Sequence, residues 1–216
     1  MPDGAPAPTP EQGGAVLPSP CRDRRPLLQD LPTTFETRRL LLRCPAEGDG
    51  AALHTACQET RLELQTWMDW AHPFPTPEDS EKHCREARAA FMARTDFEFL
   101  MQRKEDGLLV GGCGLHRFEP AVPSAEVGYW RRAQCAGQGL VTEAVRALQD
   151  LAFRWLQLER LCLRCDDLNA RSAAVAERTG FVWEGTLRHD RRDAAGALRF
   201  TRVYALLRDQ WEGGRQ

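Results

Sequence analysis

The hydrophobic pattern changes its period near the middle of the chain, where a strand is predicted to run into a helix. Polar and apolar residues alternate along Ala125–Trp130, with Glu126, Gly128 and Trp130 on one face of a strand. Apolar residues then recur every three to four positions along Leu140–Trp155, as they do on one face of a helix. The segment between them, Gln134–Gly139, contains two glycines and is predicted to be a loop.

The rest of the pattern predicts strands grouped before and after a single β-α-β-α unit. The predicted elements are, in order, a strand at Glu36–Arg43, helices at Asp49–Gln58, Glu59–Trp67 and Thr76–Arg94, strands at Asp96–Lys104 and Leu108–Arg117, the strand and helix above, a strand at Arg160–Asp167, a short helix from Asn169, and strands at Phe181–His189 and Leu198–Leu207. This order favours an α/β (α+β) fold with a mixed, mostly antiparallel sheet flanked by helices over a doubly wound parallel sheet.

Composition limits the domain count and the partners. The chain has 216 residues, 42% of them hydrophobic and 28% charged, which is typical of one globular domain. Residues 1–33 are rich in proline without hydrophobic period and are predicted to form a disordered arm, which leaves 34–212 as the domain. A net charge of −2 favours neither nucleic acid nor a membrane surface as partner. No signal peptide or long apolar run is visible, so we expect a cytoplasmic protein.

The eight cysteines are scattered through the chain and are predicted to be free thiols. Cys162 and Cys165 form a C-x-x-C pair, but no second pair accompanies it, and we expect no metal site. Cys135 lies in the glycine loop before a helix N-terminus, where a thiol pKa can be lowered, although a small loop residue is the simpler interpretation.

The glycine loop has the chemistry of a phosphate site, because a helix that begins after it offers free N–H groups and a partial positive charge. Thr142 stands where a dinucleotide fingerprint needs its third glycine, and no Gly-Lys pair of a Walker loop is present. The loop instead matches the pattern Q/R-x-x-G-x-G/A at Gln134, Gly137 and Gly139. This pattern resembles the pyrophosphate loop of the GNAT acetyltransferases, which bind acetyl-coenzyme A.

The resemblance extends over about Phe35–Trp211 and is strongest to the ribosomal-protein N-terminal acetyltransferases, the RimJ/RimL type. It rests on Thr37–Arg43, on Asn169–Ser172, and on Gly180-Phe181 followed by Glu184-Gly185. It implies the GNAT fold and an N-acetyltransferase that moves an acetyl group from acetyl-CoA to a primary amine by direct attack in a ternary complex. The acceptor is a protein N-terminus or a small molecule, and the enzyme a monomer or homodimer. Two alternatives are a non-catalytic acyl-CoA sensor and a protein that binds another phosphate ligand.

The resemblance also implies cofactor contacts in the strand, the loop and the following segment. The residues expected to contact the cofactor are Val127, Tyr129, Trp130, Arg131, Gln134, Cys135, Ala136, Gly137, Gln138, Gly139, Leu140, Asn169 and Ser172.

Each candidate residue for the reaction or for the amine pocket has an alternative interpretation. Glu126 is either the general base, acting directly or through water, or an ion-paired surface carboxylate. Asn169 is either a cofactor contact or a helix N-cap, and both can hold. Ser172 is a candidate acid for the thiolate, since the tyrosine common in this helix of the family is absent; a water or an unassisted thiolate is the alternative. Trp67, Trp70 and His72 are candidates for the amine pocket, with structural packing as the alternative.

Overall fold

The computed structural model describes residues 30–214 and shows one eight-stranded sheet with helices on both faces. The strands are β1 Thr34–Glu36, β2 Leu40–Arg43, β3 Phe97–Arg103, β4 Leu109–Glu119, β5 Ser124–Arg131, β6 Arg160–Asp166, β7 Val182–Arg192 and β8 Leu198–Leu207. The helices are α1 Gly50–Glu59, α2 Arg61–Trp67, α3 Pro77–Ala93, α4 Leu140–Asp150, α5 Ala170–Arg178 and α6 Arg208–Gly213. Residues 1–29 of the predicted arm lie outside the described part.

The sheet has the order β1-β2-β3-β4-β5-β6-β8-β7, and every neighbouring pair is antiparallel except β5 with β6. This parallel pair is short: Ser124–Glu126 of β5 pair with Arg160–Cys162 of β6, and the pairing then stops. The two strands therefore separate in the middle of the sheet, while β4 stays paired with β5 as far as Arg131. The predicted mixed, mostly antiparallel sheet is confirmed.

Each face of the sheet has its own hydrophobic core. On one face α4 and its one-turn continuation, the π-helical segment Leu151–Trp155, bury Val127 together with Leu148 and Phe153. On the other face a smaller cluster joins α1, α2 and α3 to Leu100, with Trp130 packed against it. The alternation predicted for β5 thus separates the α4 face from the face of α1–α3, as expected for a strand covered on both sides.

The predicted strand Glu36–Arg43 is wrong in one respect, because the chain reverses within it. β1 and β2 form an antiparallel hairpin around Thr37–Arg39. The turn is held by Glu143 of α4, whose carboxylate accepts hydrogen bonds from Thr37 Oγ1 at 2.5 Å and from Arg39 N and Nε at 2.7 Å each. Burial alone would raise the pKa of Glu143, but these donors lower it below its usual value. A contact with a residue about 100 positions away overrides the local strand pattern.

The helix α3 begins at the predicted position, and its cap residues give the reason. Thr76 is the N-cap and Pro77 the first helical residue, and Asp79 completes a reciprocal capping box with Thr76. None of the helices between residues 30 and 214 is long and apolar enough to cross a membrane.

Candidate functional site

The separation of β5 from β6 opens a large cleft through the sheet. Its cavity measures about 2110 Å³, more than the usual volume of a small-molecule pocket. Val127 and Tyr129 line it from the α4 face, whereas Glu126, Gly128 and Trp130 line it from the face of α1–α3. The cleft can therefore admit one ligand from each side, with backbone groups of β5 along its edge.

The glycine loop forms one end of this cleft, at the N-terminus of α4. Gly137 and Gly139 have φ angles of +74° and +73°, which a residue with a side chain adopts at a cost. Gly139 is the N-cap of α4, so the free N–H groups of the first turn follow it directly. Ala136 and Leu140 also line the cavity. Both the backbone geometry and the position fit an anionic group of a ligand.

Three other residues of the loop are held by the protein. Gln134 Nε2 donates to Glu59 at 3.2 Å, and the backbone oxygen of Gln138 accepts from Arg39 Nη1 at 2.8 Å. Neither glutamine is among the residues that line the cavity. Cys135 borders the cavity but is buried in the main core, in agreement with the simpler interpretation of a small loop residue.

A group of arginines lines the cavity, and none of them was expected from the sequence to contact a ligand. They come from the β1–β2 turn, from α4 and from α5: Arg38, Arg39, Arg146, Arg171 and Arg178. Such side chains are the usual partners of phosphate groups. Their spread over 140 positions of the chain leaves no local motif, so only the fold brings them to one cavity.

Asn169, Ser172 and Tyr129 meet on the α4 side of the cleft. Asn169 Oδ1 accepts a hydrogen bond from Ser172 N at 3.1 Å, which confirms its role as the N-cap of α5. Ser172 Oγ lies 2.8 Å from the hydroxyl of Tyr129. Burial raises the pKa of Tyr129, so its phenol stays protonated at neutral pH and can donate to Ser172. Tyr129 was expected from the sequence to contact the cofactor, but this pair of hydroxyl groups was not predicted.

Glu126 is the last residue of β5 that pairs with β6, and the cleft begins there. Its Oε2 accepts a hydrogen bond from Arg117 Nη1 at 2.9 Å. The ion pair that was the alternative for this residue is therefore present. The same carboxylate also borders the cavity, where a general base would have to lie. The role of Glu126 as a general base stays a prediction.

The structure brings one of the three aromatic pocket candidates to the cleft. Trp67, the last residue of α2, lines the cavity. Trp70 lies in a 3-10 turn at Asp69–Ala71 and contacts the ring of Trp130, with 6.5 Å between centroids. The imidazole Nε2 of His72 lies 2.6 Å from the backbone oxygen of Gln65. Because the turn directs the chain away after α2, neither Trp70 nor His72 lines the cavity.

The cysteines of the described part are free thiols, as predicted. Cys165 faces the α4 side with Leu163, and Cys162 faces the opposite side with Glu126. Burial raises the pKa of both thiols. Between residues 30 and 214, no group of three or more histidines, cysteines or carboxylates is arranged to hold a metal ion.

Comparison with known proteins gives the family of this chain. Residues 39–182 match the model of the acetyltransferase (GNAT) domain, which is more than half of the chain. The chain therefore belongs to the GNAT acetyltransferase family. Enzymes of this family use acetyl-CoA as acetyl donor, so the expected fold, donor and reaction class are confirmed.

Relatives of the ribosomal-protein type are prominent among the matches. The ribosomal-protein-serine acetyltransferase of Escherichia coli is 30% identical over 149 residues, which cover 69% of this chain and 82% of the relative. YdaF of Bacillus subtilis, whose name assigns it provisionally to ribosomal N-acetylation, is 38% identical over 108 residues. That match covers 50% of this chain and 58% of YdaF.

A solved structure shows the same resemblance. RimL, a ribosomal L7/L12 α-N-protein acetyltransferase in complex with coenzyme A, has a TM-score of 0.75 and 25% identity to this chain. The match covers 80% of this chain and 96% of RimL. The expected resemblance to the Rim type is thereby confirmed.

Proposed function

We propose that this protein transfers the acetyl group of acetyl-CoA to the N-terminal α-amine of a protein, with a small-molecule amine as the alternative acceptor. The observation that carries the proposal is the cleft through the sheet, which the glycine loop borders and which opens toward both faces. A donor held on the α4 side can then meet an acceptor that enters from the side of α1–α3. The names of the relatives favour protein N-termini as acceptors.

The described residues fit the donor. Gly137, Gly139 and the first N–H groups of α4 would hold its pyrophosphate, and the arginines of the cavity would pair with its phosphates. The free edge of β5 along Val127–Arg131 would pair with the amide groups of its pantetheine arm, as another strand would. Acetyl-CoA supplies an activated thioester carbonyl to the site.

The remaining groups would stabilise the developing charge and transfer protons. A backbone N–H at the free edge of β5 would stabilise the thioester oxygen as the amine nitrogen forms its bond to the carbonyl carbon. Glu126 would take the proton of the amine, directly or through a water. The carbon–sulfur bond then breaks, and Ser172, with Tyr129 donating to it, would protonate the thiolate. The cofactor roles of the other predicted residues belong to this proposal as well.

The first experiment is calorimetric titration with acetyl-CoA, with ATP as control, followed by thiol release with a panel of amines. The panel contains peptides with N-terminal serine or alanine, the same peptides with a blocked N-terminus, and small amines. Thiol release that requires a free peptide N-terminus is expected. Binding without release would favour the sensor alternative, and no binding of acetyl-CoA would contradict the proposal. The cytoplasmic location and the monomeric or homodimeric state stay predictions.

Glu126→Gln is expected to lower kcat about 10- to 100-fold with little change in acetyl-CoA affinity, since it removes a proton acceptor and keeps the shape. Thiol release between pH 6 and pH 9 measures the effect. Glu119→Gln is the matched control, because Glu119 is an exposed carboxylate of the neighbouring strand β4. A Glu126→Gln rate equal to wild type across this range would remove Glu126 from the mechanism.

Ser172→Ala is expected to lower kcat about tenfold, because the thiolate loses its proton donor while the N–H bonded to Asn169 is kept. Tyr129→Phe should give a smaller decrease, since it removes the second hydroxyl only. Stopped-flow measurement of thiol release with a fixed peptide tests both variants, with Ser124→Ala as control. An unchanged rate in Ser172→Ala would mean that the thiolate leaves without this acid.

A further inference from the structure

Three titratable residues form a row across neighbouring strands on the face that carries Glu126, Gly128 and Trp130, here named the acceptor face. His116 of β4 pairs directly with Glu126 of β5. Asp96 precedes β3 by one residue and contacts His116 from the opposite side. Side chains at directly paired positions lie on the same face with their Cβ atoms about 5 Å apart. Asp96, His116 and Glu126 therefore form a row that ends at the cleft.

The contacts of His116 define which ring nitrogen can act as a base. Its Nδ1 lies 2.9 and 2.8 Å from the two carboxylate oxygens of Asp96. A carboxylate only accepts hydrogen bonds, so the proton of the neutral imidazole is held on Nδ1. The lone pair of the ring is then on Nε2. This is the logic by which a carboxylate orients a histidine base in hydrolases.

Two glycines place this Nε2 over the strands next to the cleft, although His116 is not itself among the residues that line the cavity. A Cβ atom at Gly114 would lie 2.7 Å from Nε2, and one at Gly128 would lie 3.0 Å from it. The imidazole thus covers β4 and β5 in a position that a side chain at either glycine would occupy. Gly128 itself lines the cavity, two positions beyond Glu126, the last residue of β5 that pairs with β6. The basic nitrogen consequently lies beside the backbone that the thioester would approach.

We propose that His116, positioned by Asp96, is a second proton acceptor of the acceptor face and shares the deprotonation of the amine with Glu126. This inference rests on the proposed acetyl transfer. Glu126 lines the cavity and His116 does not, so Nε2 accepts the proton that the amine nitrogen loses by way of Glu126 and a water. The imidazolium returns this proton to solvent after the product leaves. Glu126, which Arg117 holds at one oxygen, keeps the other for the amine.

The charged groups around His116 decide its pH dependence. Burial alone would lower the pKa of His116, but the hydrogen bond to Asp96 and the carboxylates of Glu98 and Glu126 raise it above its usual value. Glu98 is also bonded to His83 of α3, at 2.9 Å. Only neutral His116 can accept a proton, so kcat is expected to fall as the pH drops through a value above about 6.5. Without Asp96, this acid limb should move to lower pH.

The test uses His116→Gln and Asp96→Asn in the full chain, with His83→Gln as matched control. His83 is half exposed on α3 and shares the same carboxylate environment, but it does not contact Gly114 or Gly128. His116→Gln is expected to lower kcat about 100-fold and to remove the acid limb, with acetyl-CoA affinity unchanged by calorimetry. Asp96→Asn should retain part of the rate and show the shifted limb. Wild-type kcat and an unchanged limb in His116→Gln would overturn the inference.

A second readout does not depend on turnover. Nitrogen-15 NMR of histidine-labelled protein reports the tautomer of neutral His116, assigned by its absence from His116→Gln. The Nδ1–H form is expected, and the Nε2–H form would overturn the inference because that nitrogen could not accept a proton. The two possible failures are distinguishable. If the proposed function is wrong, the wild-type protein releases no thiol. If only this inference is wrong, the wild-type protein is active and His116→Gln has the same kcat and pH profile.

Discussion

A Gly137→Val variant is expected to lose at least about 100-fold in affinity for acetyl-CoA while it keeps its fold. Gly137 lines the cavity with φ +74°, and a Cβ atom there would meet no protein atom within 4 Å. The added side chain would therefore extend into open space, which the proposed function assigns to the pyrophosphate of acetyl-CoA. Loss of one or two hydrogen bonds to a charged group, at about 1.5–3 kcal/mol each, accounts for this factor. Calorimetric titration measures the change.

Gly196→Val is the control for backbone strain in this experiment. Gly196 lies in the turn between β7 and β8 with φ +83°, and a Cβ atom there also meets nothing within 4 Å. Both variants impose a β-branched residue on a left-handed backbone, which costs about 1–2 kcal/mol of stability. Their melting temperatures should therefore fall by similar amounts, and only Gly137→Val should lose the ligand. Equal acetyl-CoA affinities in the two variants would show that the glycine loop does not contact the cofactor.

An Asp166→Asn variant is expected to lose about 3 kcal/mol of unfolding free energy. The side chain of Asp166 is 3% exposed at the end of β6. Its carboxylate accepts hydrogen bonds from Arg191 and Arg199, at 2.5 and 2.6 Å, and from Leu168 N at 2.9 Å. Breaking a buried ion pair typically costs about 3–5 kcal/mol. We take the lower end because the two arginines are about one fifth exposed and can be partly hydrated. Urea denaturation at pH 7 measures the loss.

The pH dependence of the free energy of unfolding distinguishes loss of the Asp166 charge from loss of packing. Burial alone would raise the pKa of Asp166, but its three donors lower it in the folded state. Its contribution is therefore complete above the unfolded pKa of about 3.9 and disappears as the pH falls through the lower folded value. The difference between wild type and Asp166→Asn should be constant from pH 7 to pH 5 and shrink below about pH 4. A difference as large at pH 2.5 as at pH 7 would indicate lost packing instead.

Asp69→Asn supplies the control for the ion pair. Asp69 contacts the same Arg191 at 3.3 Å, but its side chain is 80% exposed. An exposed pair of this kind contributes little, about 0–1 kcal/mol at most. The contrast between two carboxylates on one arginine then reports the burial of Asp166 together with its additional hydrogen bonds from Arg199 and Leu168 N. Equal destabilisation by both variants would contradict the larger contribution expected of the buried carboxylate of Asp166.

Local features were readable from the sequence because each depends on neighbouring residues. The switch of period at the glycine loop, the start of α3 at Thr76 and the alternation of β5 were all predicted and confirmed. The β1–β2 hairpin was missed for the opposite reason. Its turn is fixed by Glu143, and the residues near Thr37 do not predict that contact.

The candidate site likewise has features that the sequence predicts and contacts that only the tertiary structure creates. The sequence by itself determined the fold class, the family resemblance and the glycine loop, since these rest on periodicity and on a motif of adjacent residues. Only the tertiary structure decided that Ser172 meets Tyr129, 43 positions away, and that Asp96 orients His116. It also brought the arginines to the cavity and left Trp70 and His72 out of its lining. Strand register and helix packing set these neighbours, and neither is encoded in the spacing of residues along the chain.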